Sequence, residues 1–102
     1  MDARDLKVFE AVARAKAMNS AAAELNTVQS NVTARIRALE LDLGVTLFER
    51  SSRGVVLTKS GERLLPYAKK MESLLDDARR AAVDEGTPQG LLTIGSLETT
   101  AA

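Results

Sequence analysis

"TVQSNVTARIRALELDLG", residues 27–44, is the stretch on which the fold turns. Val28, Val32, Ile36, Leu39 and Leu43 recur at spacings of 4, 4, 3 and 4, one apolar stripe along an α-helix. Gly44 stands where helices commonly end in the left-handed conformation. The other side of this helix is unusual. No acid occurs between Leu25 and Leu39, and the polar positions hold Gln29, Ser30, Asn31, Thr33, Arg35 and Arg37. A solvated helix ordinarily mixes both signs of charge. With Val32 at the centre of the stripe, a turn of about 100° per residue carries Ser30, Thr33, Ala34 and Arg37 far from the core. Gln29 and Asn31 flank that face near the helix start.

Upstream, Leu6, Phe9, Val12 and Ala13 predict a first helix from about Asp2 to Ala17. Met18-Asn19 breaks that pattern, and Asn19 or Ser20 can cap a short Ala-rich helix, "SAAAEL", which a neighbour can approach closely. Asn26-Thr27 makes a tight turn, with Thr27 as the expected cap of the next helix. Two helices joined by a tight turn, after a longer packing helix, form a helix-turn-helix. Downstream, Leu47-Phe48 and Val55-Val56-Leu57 are strand-like, and the four residues Ser51 to Gly54 suit a hairpin loop. That hairpin, a wing, carries Arg50 and Arg53 against one acid, Glu49.

From Thr58, the expected cap, a long helical segment follows. Leu64, Tyr67, Met71, Leu74, Ala78 and Ala81 alternate spacings of 3 and 4, a heptad seam suited to a second helix. Either a partner chain or this chain's own first helix can cover it. Pro66 predicts a local kink. "GTPQG", residues 86–90, reads as a hinge, and "LLTIGSLETTAA" opens like a buried strand.

The 102 residues are 45% hydrophobic and 27% charged, ordinary for one small globular domain, but only 3% aromatic, so the core rests on Leu, Val, Ile and Ala. With no cysteine and no histidine, disulfides, thiol chemistry and the usual zinc ligands are excluded, and no carboxylate pair marks a catalytic cleft. We therefore expect no enzyme, no metal and no cofactor. No signal peptide or membrane span is visible, which predicts a cytoplasmic protein without a membrane partner. The net charge of zero conceals an asymmetry. Residues 1–70 hold 12 Lys+Arg against 8 Asp+Glu, a net of +4, and residues 71–102 hold 2 against 6, a net of −4. The basic excess accompanies the acid-free helix.

That surface suits the major groove of DNA, where base edges offer donors, acceptors and the thymine methyl, and where acids would meet phosphate. Gln29 can pair bidentately with adenine, Thr33 suits a phosphate oxygen, and Arg37 reaches guanine or a phosphate. The acids resume at Glu40, the end expected to point out of the groove. Arg53 at the hairpin tip can enter the adjacent minor groove or lie along its phosphates. A dimer seam adds the means to read two half-sites about one turn apart.

The run "AAAEL…VQSNVTARIRALELDLGVTLFERSSRGVVLTKSGERLLPYA" closely resembles the amino-terminal domain of LysR-type transcriptional regulators, over about residues 3 to 85. The resemblance implies a mainly α fold, a winged helix-turn-helix of three helices and a β-hairpin, followed by a long linker helix that pairs antiparallel in a homodimer. It also implies a carboxy-terminal domain that senses a small-molecule effector, of which only an opening strand near Leu91 to Ile94 would be present here. Full-length members are typically tetramers that bend an interrupted palindrome. In the family, residues matching Gln29, Ser30 and Thr33 commonly touch bases or phosphates, and the one matching Arg53 works from the wing. This chain departs from the family at Thr27-Val28, where an apolar residue and then Ser are usual. It departs again at Ala34, where Arg is common and where Arg35 or Arg37 would have to substitute, and at Met18, where Phe is frequent.

The expected organisation is a DNA-binding unit at 1–58, a dimerisation helix at 59–86, and a hinge with the first strand of an effector domain at 87–102. The expected double-stranded DNA contacts are Thr27, Gln29, Ser30, Asn31, Thr33, Arg35, Arg37, Arg50 and Arg53. The expected dimer contacts are Leu64, Tyr67, Met71, Leu74, Leu75 and Ala78. Two other readings share the same fold. One is a winged-helix interaction module; the other is an architectural DNA binder without sequence preference.

Overall fold

Asp2 starts the first helix with a reciprocal cap. Its side chain accepts from the Asp5 N–H at 2.9 Å, and the Asp5 carboxylate accepts from the Asp2 N–H at 3.1 Å. The computed structural model describes residues 1–83, in which α1 (Ala3–Ala15), α2 (Met18–Glu24) and α3 (Gln29–Leu43) precede β1 (Phe48–Ser51), β2 (Gly54–Leu57) and α4 (Lys59–Val83). The hinge and strand expected beyond residue 85 lie outside the described residues.

The three short helices keep their expected order, but their ends differ from the sequence reading. Lys16 adopts the left-handed region at φ 61° and stops α1 at Ala15, short of Ala17. Ala17 is then extended, so α2 begins at once at Met18 with no side-chain cap. Asn19 instead accepts from the neighbouring Ser20 N–H at 2.9 Å. Asn26, at φ 58°, turns the chain between α2 and α3, and the Thr27 N–H reaches the Ala22 carbonyl at 2.9 Å. Thr27 does not cap α3. The extended residue before the helix is Val28, and the Thr27 hydroxyl accepts from the Asn31 carboxamide at 2.9 Å. Because Val28 precedes the helical turns, it leaves the stripe and is 58% exposed, a correction to its reading as core. Leu43, at the far end, is also exposed. Val32, Ile36 and Leu39 remain buried as expected.

These three pack with Leu6, Phe9 and Val12 of α1 and with Ala21 and Ala22, whose methyl side chains let α2 lie close. Phe9 is fully buried and meets Phe48 with ring centroids 5.3 Å apart, which carries the core into the hairpin. At the α1–α2 edge, the Arg14 guanidinium joins Glu10 at 3.0 Å and Glu24 at 2.6 Å. Those carboxylates raise the Arg14 pKa, and Arg14 holds the Glu24 carboxyl below the usual carboxylate range.

The strands pair antiparallel from Phe48↔Leu57 to Ser51↔Gly54, so the loop is two residues, Ser52 and Arg53, rather than four. Gly54 has φ 137°, and a Cβ there would lie 2.2 Å from the Lys16 carbonyl oxygen. That same oxygen accepts from the Val55 N–H at 3.1 Å. Only a glycine lets the hairpin seat this closely on the end of α1. Thr58 then caps α4 as expected. Its hydroxyl accepts from the Gly61 N–H at 3.1 Å and donates to the Thr46 carbonyl at 2.6 Å.

Helix α4 runs unbroken through Pro66, which simply has no N–H to offer the Glu62 carbonyl. Its first half packs on α1: Gly61 and Ala68 are buried, and Leu64, Leu65 and Met71 lie partly buried against the core. Its second half leaves the domain. There Leu74, Leu75, Ala78 and Val83 are exposed, and in the first half Tyr67 is exposed as well.

Gly54→Ala should lose roughly 1–3 kcal/mol through backbone strain, with a further loss from the clash at Lys16. An unchanged denaturant midpoint would mean the hairpin does not need that close approach. Because the Glu24 pKa is depressed in the fold, its contribution is present above the unfolded carboxylate range and lost as pH falls through the folded value. Glu24→Gln should therefore flatten the acid side of the stability–pH profile, and an identical acid limb would show that the ion pair contributes nothing.

Candidate nucleic-acid interface

Helix α3 presents two polar flanks on either side of its buried stripe. On one flank, Gln29, Ser30, Thr33, Ala34 and Arg37 share a shallow outer surface, with Thr33 half-buried and the others exposed. Gln29, Thr33 and Arg37 continue down into a cleft. Its far wall is the hairpin, with Phe48, Glu49, Arg50, Gly54 and Val55, and the start of α2 closes one end with Met18 and Asn19. The structure thus brings Gln29, Ser30, Thr33, Arg37 and Arg50 together. Arg53 stands apart at the exposed hairpin tip, where its main-chain N–H donates to the Ser51 hydroxyl at 3.3 Å.

Thr27, Asn31 and Arg35 lie on the opposite flank, facing α1 across a second cleft. Arg35 is not a free groove-facing cation. Its guanidinium meets the Asp5 carboxylate at 3.0 Å and ties α3 to α1. The cause is angular: Arg35 lies three residues beyond Val32 and one before Ile36, so its Cβ leaves the helix beside the buried stripe. Arg35 is thus engaged by Asp5 on this flank, whereas Arg37 remains exposed on the outer surface.

Glu40 also differs from its sequence reading. It does not simply point away from the groove; it lines the hairpin cleft with its carboxylate turned to the backbone. Its Oε2 accepts from the Leu47 N–H at 2.7 Å and from the Phe48 N–H at 3.4 Å. The acid thereby latches the end of α3 to the entry of β1, and its charge is held by amide donors. Asn19 and Glu40 are cleft residues that sequence reasoning did not assign to the site. The Glu40 partners lie seven and eight residues away, and Asn19 reaches the cleft only through the packing of α2 beside α3 and the hairpin, so no local periodicity marks either.

Among the described residues no three His, Cys, Asp or Glu side chains gather to hold a metal ion, and no helix is long and apolar enough to cross a membrane. What the arrangement offers is a protruding helix edge with amide, hydroxyl and guanidinium groups, flanked by a basic hairpin. It is a surface for an extended anionic partner with readable edges.

Comparison with known proteins agrees with this geometry. The profile of the family described as "Bacterial regulatory helix-turn-helix protein, lysR family" matches residues 3–62. The HTH-type transcriptional regulator YofA of Bacillus subtilis (strain 168) is 52% identical over 101 residues, which cover 99% of this chain and 35% of YofA. The HTH-type transcriptional regulator CzcR of Bacillus anthracis is 46% identical over 99 residues, 97% of this chain and 34% of CzcR. The chain thus spans about a third of the length of these relatives. Among solved structures, the DNA-binding domain of CbnR in complex with DNA is similar with a TM-score of 0.71 and 44% identity, over 80% of this chain and 99% of that one. The DNA-binding domain of BenM with benA site 1 DNA gives a TM-score of 0.75 at 32% identity, over 85% of this chain and 100% of that one.

Arg35→Ala should cost up to about 1 kcal/mol of stability, as a half-exposed ion pair does, and should leave the salt dependence of duplex binding unchanged. A shallower salt slope with unchanged stability would place Arg35 on a phosphate instead.

Proposed function

Since the chain belongs to the LysR family and carries that family's helix-turn-helix DNA-binding domain, we propose that it reads duplex DNA with α3 in the major groove and the β1–β2 hairpin near the adjacent minor groove. The observation that carries this reading is the acid-free outer face of α3, with Gln29, Ser30, Thr33 and Arg37 exposed or half-exposed and Arg50 across the cleft. The DNA complexes of the similar CbnR and BenM domains support it. Gln29 reads an adenine edge, Ser30 and Thr33 meet a base or a phosphate, and Arg37, Arg50 and Arg53 hold backbone phosphates. Family and fold are those of a transcriptional regulator and not of an enzyme.

The chain works as a dimer in this reading. Residues 1–58 read DNA, residues 59–86 pair with a second copy, and residues 87–102 lead into an effector-binding domain that responds to a small molecule. Leu74, Leu75 and Ala78 on the exposed half of α4, with the exposed Tyr67 of its first half, supply the pairing surface. Leu64 and Met71 contribute less to it because the chain's own core already covers them in part. Two such units read an interrupted palindrome in the bacterial cytoplasm, and the full-length protein assembles as a tetramer.

Selection of sheared genomic DNA from the source organism by the purified chain at moderate salt tests the reading. Enrichment of one interrupted palindrome supports it. Recovery of DNA with no shared motif favours an architectural binder, and no recovery of duplex at any salt favours an interaction module. Gln29→Ala should relax preference at one base pair by ~1–3 kcal/mol; unchanged specificity removes Gln29 from the reading set. Leu74→Glu should yield monomers in sedimentation, and persistent dimers would move the interface off α4.

A further inference from the structure

The flank of α3 that faces α1 has chemistry of its own. Arg4 and Lys7 lie three residues apart on one face of α1, both exposed, and both line the cleft that Thr27, Asn31, Ala34 and Ala38 border from α3. Among the described residues neither Arg4 nor Lys7 makes an ion pair. The acid that lines this cleft, Asp5, is neutralised by Arg35 at 3.0 Å. Two nearby acids are also engaged: Asp2 accepts from the Asp5 N–H, and Asp42 holds the terminal amine of Met1 at 2.7 Å. The cleft therefore carries a net positive charge, with the Asn31 carboxamide at its edge, while Ala34 and Ala38 leave its α3 wall low and open.

We propose that this flank is a second phosphate-holding surface, in which Arg4 and Lys7, with Asn31, receive the DNA strand on the far side of the major groove from the hairpin. The inference rests on the reading of α3 as a groove-bound helix. An α-helix about 10–12 Å across fills a major groove about 12 Å wide, so both bordering phosphate backbones come against its flanks. Arg50 and Arg53 attend to one backbone from the hairpin. Without Arg4 and Lys7 the other backbone would meet mainly the methyl groups of Ala34 and Ala38 and the already paired Arg35. Contacts on both sides centre the helix in the groove and fix its register, which contacts on one side alone would leave free to roll.

The test is the salt dependence of binding to a mixed-sequence duplex long enough for two half-sites, followed by fluorescence anisotropy with the full chain. Lys7→Ala should make the slope of log K against log salt shallower by about one unit, and Arg4→Ala/Lys7→Ala by about two. The sequences selected from genomic DNA should be the same as for the unaltered chain. Lys69→Ala, the same charge change on the exposed face of α4, should leave the slope unchanged. Both α1 side chains are exposed and unpaired, so circular dichroism should show the fold intact. An unchanged slope in the double variant overturns the proposal, as does an equal change in Lys69→Ala, which would reveal a net-charge effect. If the unaltered chain itself binds duplex without salt dependence, the DNA reading fails as well. If its slope is steep and the double variant matches it, only this second surface is lost.

Discussion

One main-chain contact governs where the functional parts stand. The Lys16 carbonyl accepts from the Val55 N–H, and Gly54 passes so close to the same oxygen that no side chain fits. To present that carbonyl, Lys16 holds a left-handed conformation that ordinarily costs a non-glycine residue roughly 1–2 kcal/mol. The same residue ends α1, releases α2 and seats the hairpin. The cleft between α3 and the hairpin is held from two sides, by this contact on β2 and by the Glu40 carboxylate on the Leu47 N–H ahead of β1. Phe9 against Phe48 fills the space beneath, so the position of the wing is a property of the core.

The charge distribution follows a similar economy. Near the winged domain's surface, acids are held by specific partners: Asp5 by Arg35, Glu10 and Glu24 by Arg14, and Glu40 by backbone amides. Arg37, Arg50 and Arg53 are left exposed around α3 and the hairpin. Glu49 is the acid that stays exposed on the hairpin beside Arg50. A chain with zero net charge thus still presents a basic face, since potential near a surface depends on unpaired groups and not on the total.

Much of the fold was legible because its signals are local. The stripe at Val32, Ile36 and Leu39, the small residues of α2, the Thr58 cap and the sequence of helices and hairpin all depend on residues within a turn or two of one another. The departures arise where geometry is set from a distance. Val28 has the right spacing for the core but stands before the first helical turn, and the hairpin loop shortens because pairing extends to Ser51↔Gly54. The seam of α4 is legible as a repeat. How it divides, with Leu64 and Met71 turned partly to the chain's own core and Leu74 left exposed, depends on how α1 packs against it.

The amino-acid sequence by itself determined the order of elements and the chemistry of the α3 face, because helical periodicity and the lack of acids from Leu25 to Leu39 are readable one residue at a time. It also placed Ser30, Thr33, Ala34 and Arg37 on one side with Gln29 and Asn31 flanking it, since an α-helix has a fixed angular step. Only the tertiary structure decided that Arg35 belongs to Asp5, that Glu40 latches Leu47, and that Arg4 and Lys7 stand beside Asn31. Asp5 and Arg35 are 30 residues apart in the chain. Their pairing is created by the packing of α1 on α3, and no local pattern records which cations that packing neutralises and which it leaves exposed.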